Sequence, residues 1–516
     1  MLIPAAVAAE VARKALWHLR AGGPAQVALW WCRSAAAAAP GGGPTGAADP
    51  PGPRAGHAQS PKRERSEPRR RTPSTRGPGR HQTRTLTDGQ LTDRGYPMPA
   101  AEPAPPYEPV TGRALYMVHN ALPFHSRGYA TRTHALLTEL NRTRWNVTPV
   151  TRLGYPYDVR ELRDIPDIAL EEQVDGLTYR RLIPQRRLEL RRPLLNYTER
   201  CSDALTDLAA ELRPQVLHAA SNYVNGLSAA LAARRLGLPS VYEVRGLWEI
   251  TRSSREPAWA ASDDFAFQVR MEADACRAAD HVFALTGALK SELVDRGVEA
   301  ERISVLSNGV DVERFVPTQR NTDLADRLGI GDAPVIGYVG SLLDYEGLDQ
   351  LIAAADLLRT SHAGFHVLIV GDGPMLPQLQ AEVERRGLQG VVRFTGRVPH
   401  AQVEDLYSLI DIAPFPRLPL QVCHMVSPLK PFEAMAMAKA VVVSDVRALT
   451  EIVEDGATGL VHEAGSPEAL AHQLRRLLED PQLRASVGRR ARQWVADTHS
   501  WRVLAAQVAD VYDGLT

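Results

Sequence analysis

From Gly112 onward, short apolar runs alternate with stretches of helical periodicity, and this alternation restricts the chain to α/β architectures. Strand followed by helix, repeated many times, predicts parallel sheets whose faces are covered by helices. The first series of apolar runs lies at 114–118, 147–151, 216–218, 240–244, 281–285 and 303–306. The second lies at 335–339, 366–370, 391–395, 412–414 and 440–444. Two such series, of about 200 residues each, predict two Rossmann-like domains facing across a cleft.

The apolar runs also set the domain boundaries. We predict an N-terminal domain over residues 111–310 and a C-terminal domain over 311–500, with the boundary near 308–317. Residues 501–516 are predicted to form a helix that packs back on the N-terminal domain.

Residues 1–110 differ from the rest in composition and charge. They are rich in Pro, Gly, Ala and Arg, and the first 100 hold about 15 basic and about 6 acidic residues. Such a segment buries too little apolar surface to offset its ordering entropy, so we predict disorder. It is interpreted as a spacer, as an over-extended start with Met98 as the initiator, or as a basic tail that binds anionic lipid.

The overall charge and the N-terminal apolar runs bear on partners and location. The 60 basic and 60 acidic residues cancel, which gives no reason to expect a nucleic-acid partner. Charged residues interrupt the N-terminal apolar stretch, so a membrane-spanning helix is not expected. We predict a cytoplasmic protein, with peripheral association at the inner face of the membrane as an option.

The segment Ser427–Glu433 is the leading candidate for a phosphate site. It enters a predicted helix with Pro431 in the first turn, so free backbone N–H groups and the positive helix end would face the cleft around Pro428 and Leu429. Lys430 adds a full positive charge, and Glu433 is suited to accept hydrogen bonds from ribose hydroxyls. An equally simple interpretation of Glu433 is pairing with the helix dipole.

Five further motifs carry a resemblance to a known family. They are Ser304–Phe315, Gly337–Ser341, Val370–Pro374, Phe394–Pro399 and Asp455–Val461. In this order they resemble family-4 retaining glycosyltransferases (glycosyl transferases group 1), over roughly residues 112–500. The resemblance implies the GT-B fold, an acceptor-side N-terminal domain, and a nucleotide-diphosphate-sugar donor bound mainly by the C-terminal domain.

In the N-terminal half, two motifs resemble a subgroup associated with bacterial exopolysaccharide clusters and exosortase. They are His218–Asn222 and Tyr242–Glu249. The second offers a cation, a stacking face and a carboxylate beyond a strand. We therefore predict Arg245 as a catalytic residue and Asn222, Trp248 and Glu249 as acceptor-side residues. The structural alternative is that Arg245 and Glu249 pair with each other while Trp248 packs.

The loop after the first strand supplies further candidates. Family members have a glycine there that lets the backbone approach the donor, and Gly128 occupies that place. His125 is predicted to be catalytic, and Arg127 and His134 to be acceptor-side ligands. The simpler interpretation of a histidine near a helix start is a capped, solvated residue.

In the C-terminal half, the resemblance carries some donor contacts over and puts others in doubt. Gly340, Ser341, Gly371 and Gly373 are predicted donor contacts, although a lone G-x-G is also an ordinary turn. The family's first motif glutamate is replaced by Met425, and its two diphosphate-binding cations by Ser341 and Glu346. If turnover is retained, a cation from another loop must replace them. The candidates are Lys430, Arg397 and Arg417.

These observations lead to one function and two rivals. We predict sugar transfer from a nucleotide diphosphate sugar to a hydroxyl on a lipid-linked or oligosaccharide acceptor, with retention of anomeric configuration. No metal or other cofactor is expected, since there is no D-x-D pair and no clustered His or Cys. The rivals are a sugar-nucleotide epimerase on the same fold and a non-catalytic nucleotide-sugar-binding protein.

Overall fold

A computed structural model describes residues 86–100, 107–163, 165, 168–184, 191–360 and 364–516. Most of the predicted N-terminal extension therefore lies outside the described residues. The N-terminal domain is an α/β unit formed by α1 (Asp88–Arg94), β1 (Arg113–Val118), α2 (Gly128–Leu140), β2 (Asn146–Thr151), β3 (Glu171–Val174), β4 (Leu177–Arg181), α3 (Leu194–Leu212), β5 (Val216–Ala220), α4 (Tyr223–Leu236), β6 (Ser240–Val244), α5 (Trp248–Ser253), α6 (Asp263–Ala278), β7 (His281–Ala284), α7 (Gly287–Asp295) and β8 (Ile303–Val305).

The C-terminal domain repeats the strand–helix alternation. Its elements are α8 (Thr322–Arg327), β9 (Val335–Val339), α9 (Leu348–Arg359), β10 (His366–Val370), α10 (Leu376–Arg385), β11 (Val392–Gly396), α11 (Val403–Leu409), β12 (Ile412–Phe415), α12 (Gln421–Met425), α13 (Lys430–Ala436), β13 (Ala440–Ser444), α14 (Arg447–Thr450), β14 (Leu460–His462), α15 (Pro467–Glu479) and α16 (Pro481–Thr498).

Each domain is built on one twisted sheet. The strand order is β3-β4-β2-β1-β5-β6-β7-β8 in the first sheet and β11-β10-β9-β12-β13-β14 in the second. All pairings in the second sheet are parallel, and in the first only the β3–β4 hairpin is antiparallel. The predicted α/β class with two Rossmann-like sheets is confirmed. In both sheets the buried strands read as apolar runs because helices cover both faces.

The C-terminal helix α17 (Trp501–Leu515) packs on the N-terminal sheet. Its Tyr512 hydroxyl lies 2.8 Å from Nδ1 of His218 on β5, and Trp145 Nε1 donates to Asp513 across 2.8 Å. Arg132 of α2 lies over the Trp501 ring. The chain thus crosses from the second domain back to the first and ties the two together.

The prediction of disorder over the whole of 1–110 is wrong for residues 86–100. These residues form α1, with a capping box at Thr87, and an extended segment after it. Leu91 is fully buried, the Tyr96 backbone N–H donates to Asp274 of α6, and its hydroxyl lies 2.6 Å from that of Thr198 on α3. One leucine and one tyrosine are enough to anchor the segment, although its overall composition resembles that of a linker.

Within the described ranges, none of the helices combines the length and apolar character needed to cross a bilayer.

Candidate active site between the domains

The carboxyl ends of the parallel strands set the location of the site. In the N-terminal sheet the strand order reverses between β1 and β5, and in the C-terminal sheet between β9 and β12. Loops at such reversal points diverge and leave a crevice, which is where open α/β sheets bind ligands. The loops that follow β1, β5, β9 and β12 contain six of the predicted site residues: His125, Arg127, Asn222, Gly340, Ser341 and Arg417.

The linker between the domains is held by Arg132, which the sequence analysis did not single out. Its guanidinium donates to the carbonyls of Leu306 and Ser307 and to Asn308 Oδ1, at 2.6–3.0 Å. Asn308 in turn donates from Nδ2 to the Ser427 carbonyl, at 2.7 Å. An arginine of α2 is therefore connected, through the linker asparagine, to the beginning of the predicted donor segment.

Two more contacts fasten the C-terminal domain to the start of α7. Thr286 Oγ1 donates to the Met425 carbonyl at 2.6 Å, and the Glu451 carboxylate accepts from the N–H groups of Gly287 and Ala288 at 2.7 and 2.8 Å. Glu451 thus caps a helix of the other domain. Met425, where the family has a glutamate, is buried at this junction.

The segment Ser427–Glu433 brings Lys430 and Glu433 together, but as a pair. Lys430 Nζ lies 3.0 Å from Glu433 Oε2, and the Tyr407 hydroxyl donates to the same oxygen at 3.3 Å. The lysine side chain is 29% exposed and the glutamate 12%, so the pair borders the crevice. In this arrangement the positive charge of Lys430 is compensated by Glu433.

Gly128 lies opposite this segment. It is the first residue of α2, and a Cβ placed on it would approach Leu429 Cδ1 at 3.3 Å. A larger side chain would have to push Leu429 away. The structure therefore brings Gly128 and Leu429, two of the predicted donor contacts, to the same place from different domains.

Arg245 is not the free cation that was predicted. It is 8% exposed and pairs with Glu243 at 2.8 Å, while its other amino group donates to Thr133 Oγ1 at 2.6 Å. Residues two apart at a strand end point to the same face, which explains the pairing with Glu243. Arg245 is a buried structural partner of Glu243 and Tyr116. Of its three side-chain nitrogens, only Nε has no hydrogen-bond acceptor among the described residues.

Glu249 is likewise a buried structural residue and not an acceptor-side carboxylate. It is 1% exposed and pairs with Arg296 at 2.6 Å. The alternative of a local Arg245–Glu249 pair is also wrong. Trp248 is 43% exposed, and its ring lies 4.9 Å from that of His119 with the two planes nearly perpendicular, so part of the indole is open to solvent. It lines a shallow groove with Thr251, Arg252, Arg255 and Glu256.

Asn222 precedes α4 at the end of β5. Its side chain is 3% exposed, and Oδ1 has no hydrogen-bond partner within the described part of the chain. It remains a predicted acceptor-side residue, although the structure shows no path from its amide to solvent.

The residues around the start of α2 separate into two groups. His125 Nδ1 lies 2.8 Å from the Tyr155 hydroxyl, and Arg127 is exposed at the N-cap of α2. Burial, followed by the charges of Arg152 and Arg127, lowers the pKa of His125, so the imidazole is neutral near pH 7 and brings no charge to a phosphate. His134 instead stacks on Tyr179 of β4 and lies 3.7 Å from Asp175, and its acceptor-side role stays a prediction.

Close packing of the backbone requires glycine at two of the predicted donor contacts of the C-terminal domain, Gly371 and Gly373. A Cβ at Gly371, where φ is +137°, would overlap the Gly340 carbonyl oxygen, and one at Gly373 would overlap the Leu342 carbonyl oxygen. The loops after β9 and β10 therefore lie backbone against backbone. Ser341 is exposed at their tip.

Arg417 is not available as a replacement cation. It is 5% exposed and forms a two-pronged pair with Glu346, at 2.6 and 3.2 Å, while Nη1 donates to the Val426 carbonyl. Arg417, from the loop after β12, therefore reaches Glu346, which occupies one of the two positions where the family has a diphosphate-binding cation. Because Glu346 neutralises it, it adds no net charge. Arg397 is exposed just beyond the edge strand β11.

Among the described residues, no group of three or more His, Cys, Asp or Glu side chains is placed to hold a metal ion.

The residues that the sequence analysis did not single out are those that join the domains or hold the joining arginine: Arg132, Glu243, Thr286, Asn308 and Glu451. Asn308 and Glu243 lie inside motifs that the resemblance had marked, and this was the available signal. The others sit in ordinary turn and helix sequences, and their partners are more than 100 residues away.

Comparisons with known proteins agree with this architecture. Residues 127–309 match the model of the glycosyl transferase 4-like domain, and residues 321–494 match that of glycosyl transferases group 1. The chain is 28% identical over 285 residues to the alpha-D-kanosaminyltransferase of Streptomyces kanamyceticus, covering 55% of this chain and 72% of that protein. It is also 28% identical over 340 residues to the alpha-maltose-1-phosphate synthase of Mycolicibacterium smegmatis, covering 60% and 83%.

Two solved structures share the fold at low identity. Sucrose-phosphate synthase from Thermosynechococcus elongatus has a TM-score of 0.62 at 19% identity, covering 78% of this chain and 99% of that one. HepE from Anabaena, solved in complex with UDP, has a TM-score of 0.60 at 19% identity, covering 78% and 100%. With both domain models matched in order on two Rossmann-like sheets, the chain belongs to the family-4 glycosyltransferases of GT-B fold and is a sugar-transferring enzyme.

Proposed function

We propose that this enzyme transfers a sugar, with retention of anomeric configuration, from a nucleotide diphosphate sugar to a hydroxyl of a lipid-linked or oligosaccharide acceptor. The reaction would serve bacterial exopolysaccharide or other cell-envelope glycan synthesis at the inner face of the cytoplasmic membrane. The Ser427–Glu433 segment would hold the donor.

The observation that carries the proposal is the meeting of Gly128 with Leu429 beside the Lys430–Glu433 pair. Glycine at this position lets the first turn of α2 approach Leu429 closely, so a donor bound to the Ser427–Glu433 segment would also lie against the N-terminal domain. HepE, which shares the fold, was solved with UDP, and this likeness supports the nucleotide part of the donor at the level of the fold.

The Lys430–Glu433 pair suggests how the site rearranges when the donor binds. Ribose hydroxyls would replace Lys430 as partners of the Glu433 carboxylate, which already accepts from Tyr407. Lys430 would then turn towards the diphosphate and stabilise the charge that develops as the glycosidic bond breaks. Since Arg417 is committed to Glu346, Lys430 is the cation on which the leaving group depends.

We test the proposal by incubating the full chain with UDP-, GDP- and dTDP-sugars, with and without cell-envelope lipid extract, and measuring nucleotide release. Acceptor-dependent release is expected with one donor, and NMR of the product should show the donor's anomeric configuration. Release that never depends on acceptor, or an inverted product, would contradict the proposal.

Lys430→Ala tests the role of the cation. The expected loss is about 10²-fold in kcat, as for removal of one oxyanion donor. Lys290→Ala removes a lysine whose Nζ donates to the Ile303 carbonyl in the N-terminal domain, and is the matched control. A near-normal kcat for Lys430→Ala would remove this residue from the mechanism.

Metal independence is part of the same proposal. Full activity in excess chelator is expected, because Lys430 takes the place that a divalent cation holds in other phosphate chemistry. An absolute requirement for added Mn²⁺ or Mg²⁺ would overturn it.

A further inference from the structure

A buried arginine and a partly exposed one near the N-terminal side of the crevice share one carboxylate. Arg152, directly after β2, forms a two-pronged pair with Asp158 at 2.8 and 2.9 Å. Arg191 approaches the same carboxylate, with its Nε 3.6 Å from Asp158 Oδ2. Among the described residues, two positive charges therefore face one negative charge.

Arg152 is shielded from water, which would otherwise screen its charge, whereas the Arg191 side chain is 36% exposed. The Arg152 side chain is 2% exposed, and its Nη1 has no hydrogen-bond partner in the described ranges. A buried guanidinium N–H without an acceptor is costly unless a ligand supplies one. Burial and then the charge of Arg152 lower the pKa of Arg191, in keeping with repulsion between the two arginines.

Neutral hydrogen-bonding groups lie around the arginine pair. Arg152 lies over the ring of Tyr155, at 4.8 Å from its centroid, and the Tyr155 hydroxyl lies 2.8 Å from His125 Nδ1. His119 follows β1, and its buried Nδ1 has no partner among the described residues. Burial, and next Arg152, lower the pKa of His119. The exposed carboxylate of Glu161 is screened by solvent.

The position of this cluster relates it to the acceptor side. β1 and β2 are parallel neighbours, so His119 and Arg152 leave the sheet at the same edge. His125 lies in the loop that leads to Gly128, which faces Leu429 of the donor segment. The His119 ring also contacts Trp248, which is partly exposed. A molecule bound here would lie beside the donor, on the N-terminal domain.

We propose that Arg152, Arg191, His119 and His125 form a binding site for an oxyanion of the acceptor, so that the enzyme glycosylates a sugar acceptor carrying a phosphate or a carboxylate. This inference rests on the proposed function. Arg152 and Arg191 present N–H groups to a compact anion whose charge balances the excess left by Asp158, and the Trp248 face takes the neighbouring sugar ring.

The test measures binding without requiring turnover. The full chain is first titrated with UDP and GDP, and the donor site is saturated with whichever binds. Inorganic phosphate, glucose 6-phosphate, glucuronate and glucose are then titrated by calorimetry. Saturable binding of phosphate-bearing probes or of glucuronate, but not of glucose, is expected, and the comparison tells phosphate from carboxylate recognition.

Variants of the more exposed arginine make the test specific. Arg191→Gln should weaken binding of the preferred anion by about tenfold or more, the loss expected for a charged hydrogen bond. Arg191→Lys should recover part of it, since lysine keeps the charge without the fork. Arg163→Gln, which changes an exposed arginine elsewhere in the N-terminal domain, is the matched control and should bind as the wild type does.

The outcomes separate this inference from the proposed function. If no charged probe binds saturably, or if Arg191→Gln binds as tightly as the wild type, the anion site is refuted. If neither UDP nor GDP binds while phosphate still binds in an Arg191-dependent way, the nucleotide-sugar proposal fails and the anion site stands. If Arg191→Gln does not fold, Arg191→Lys provides the test. The site is refuted if this variant binds the probes with wild-type affinity and does not prefer the charged probes to glucose.

Discussion

Replacing Glu243 with glutamine should destabilise this enzyme more than any surface substitution. Glu243 is 1% exposed and accepts from Arg132 Nε and Nη2 at 3.1 and 2.7 Å, from Arg245 Nη2 at 2.8 Å, and from the Tyr116 hydroxyl. Glu243→Gln would leave two buried guanidiniums without a counter-charge. Removing one partner of a buried pair costs about 3–5 kcal/mol.

The assay is thermal and denaturant unfolding of the full chain. In a domain of roughly 200 residues, 1 kcal/mol shifts Tm by about 2–4 °C, so a fall of about 6–20 °C is expected. Glu301→Gln changes an exposed glutamate of the same domain and serves as the control, with an expected change within about 0.5 kcal/mol. A loss in Glu243→Gln below about 1 kcal/mol would refute the reasoning.

The pH dependence gives the same argument a second test. Burial alone would raise the pKa of Glu243, but the charges of Arg245 and Arg132 outweigh it, and the pKa falls below the usual 4.5. A depressed carboxyl pKa stabilises the fold above the unfolded-state pKa and loses that contribution as pH falls through the folded-state value. The difference between wild type and Glu243→Gln should therefore be full near pH 7 and shrink only in strong acid. A difference that does not depend on pH would contradict the charge assignment.

Two other substitutions test single features of the N-terminal domain. Burial, and then Glu249, raise the pKa of Glu272 to about 8, so wild-type stability should decline between about pH 5 and pH 8, by up to about 1.4 kcal/mol per pH unit. Glu272→Gln, which mimics the protonated acid, should abolish this decline in denaturant unfolding. An unchanged slope of stability against pH would contradict the pKa shift. Leu91→Ala should lower the free energy of unfolding by about 2–5 kcal/mol because Leu91, on α1, is fully buried, whereas a neutral result would show that residues 86–100 contribute no packing.

The periodicity of the sequence was sufficient for the fold. Each buried strand of the two parallel sheets is a continuous apolar run, so strand positions and the two-domain division could be inferred directly. The β3–β4 hairpin escaped the analysis because its strands at the sheet edge are short and largely polar. Residues 86–100 were misjudged because composition averages over a window, whereas Leu91 and Tyr96 anchor the segment individually.

The site was only partly accessible from sequence. The helix-start pattern identified Leu429, Lys430 and Glu433, and the family resemblance identified Gly128; the structure brings all four to one crevice. It misjudged Arg245, Glu249 and Arg417, because the counter-ion that removes each from the site cannot be recognised as a partner before the chain is folded.

The sequence by itself therefore determined the layered α/β architecture, the two domains and the family motifs, because these follow from residues close together in the chain. The tertiary structure alone decided which charged side chains are neutralised by a counter-ion and which are not. Arg417 is neutralised by Glu346 and Arg245 by Glu243, whereas Arg152 and Arg191 share one carboxylate and keep an excess charge. The physical reason is that the electrostatics of a buried group depend on every charge within a few ångströms, and folding brings those charges from distant parts of the chain.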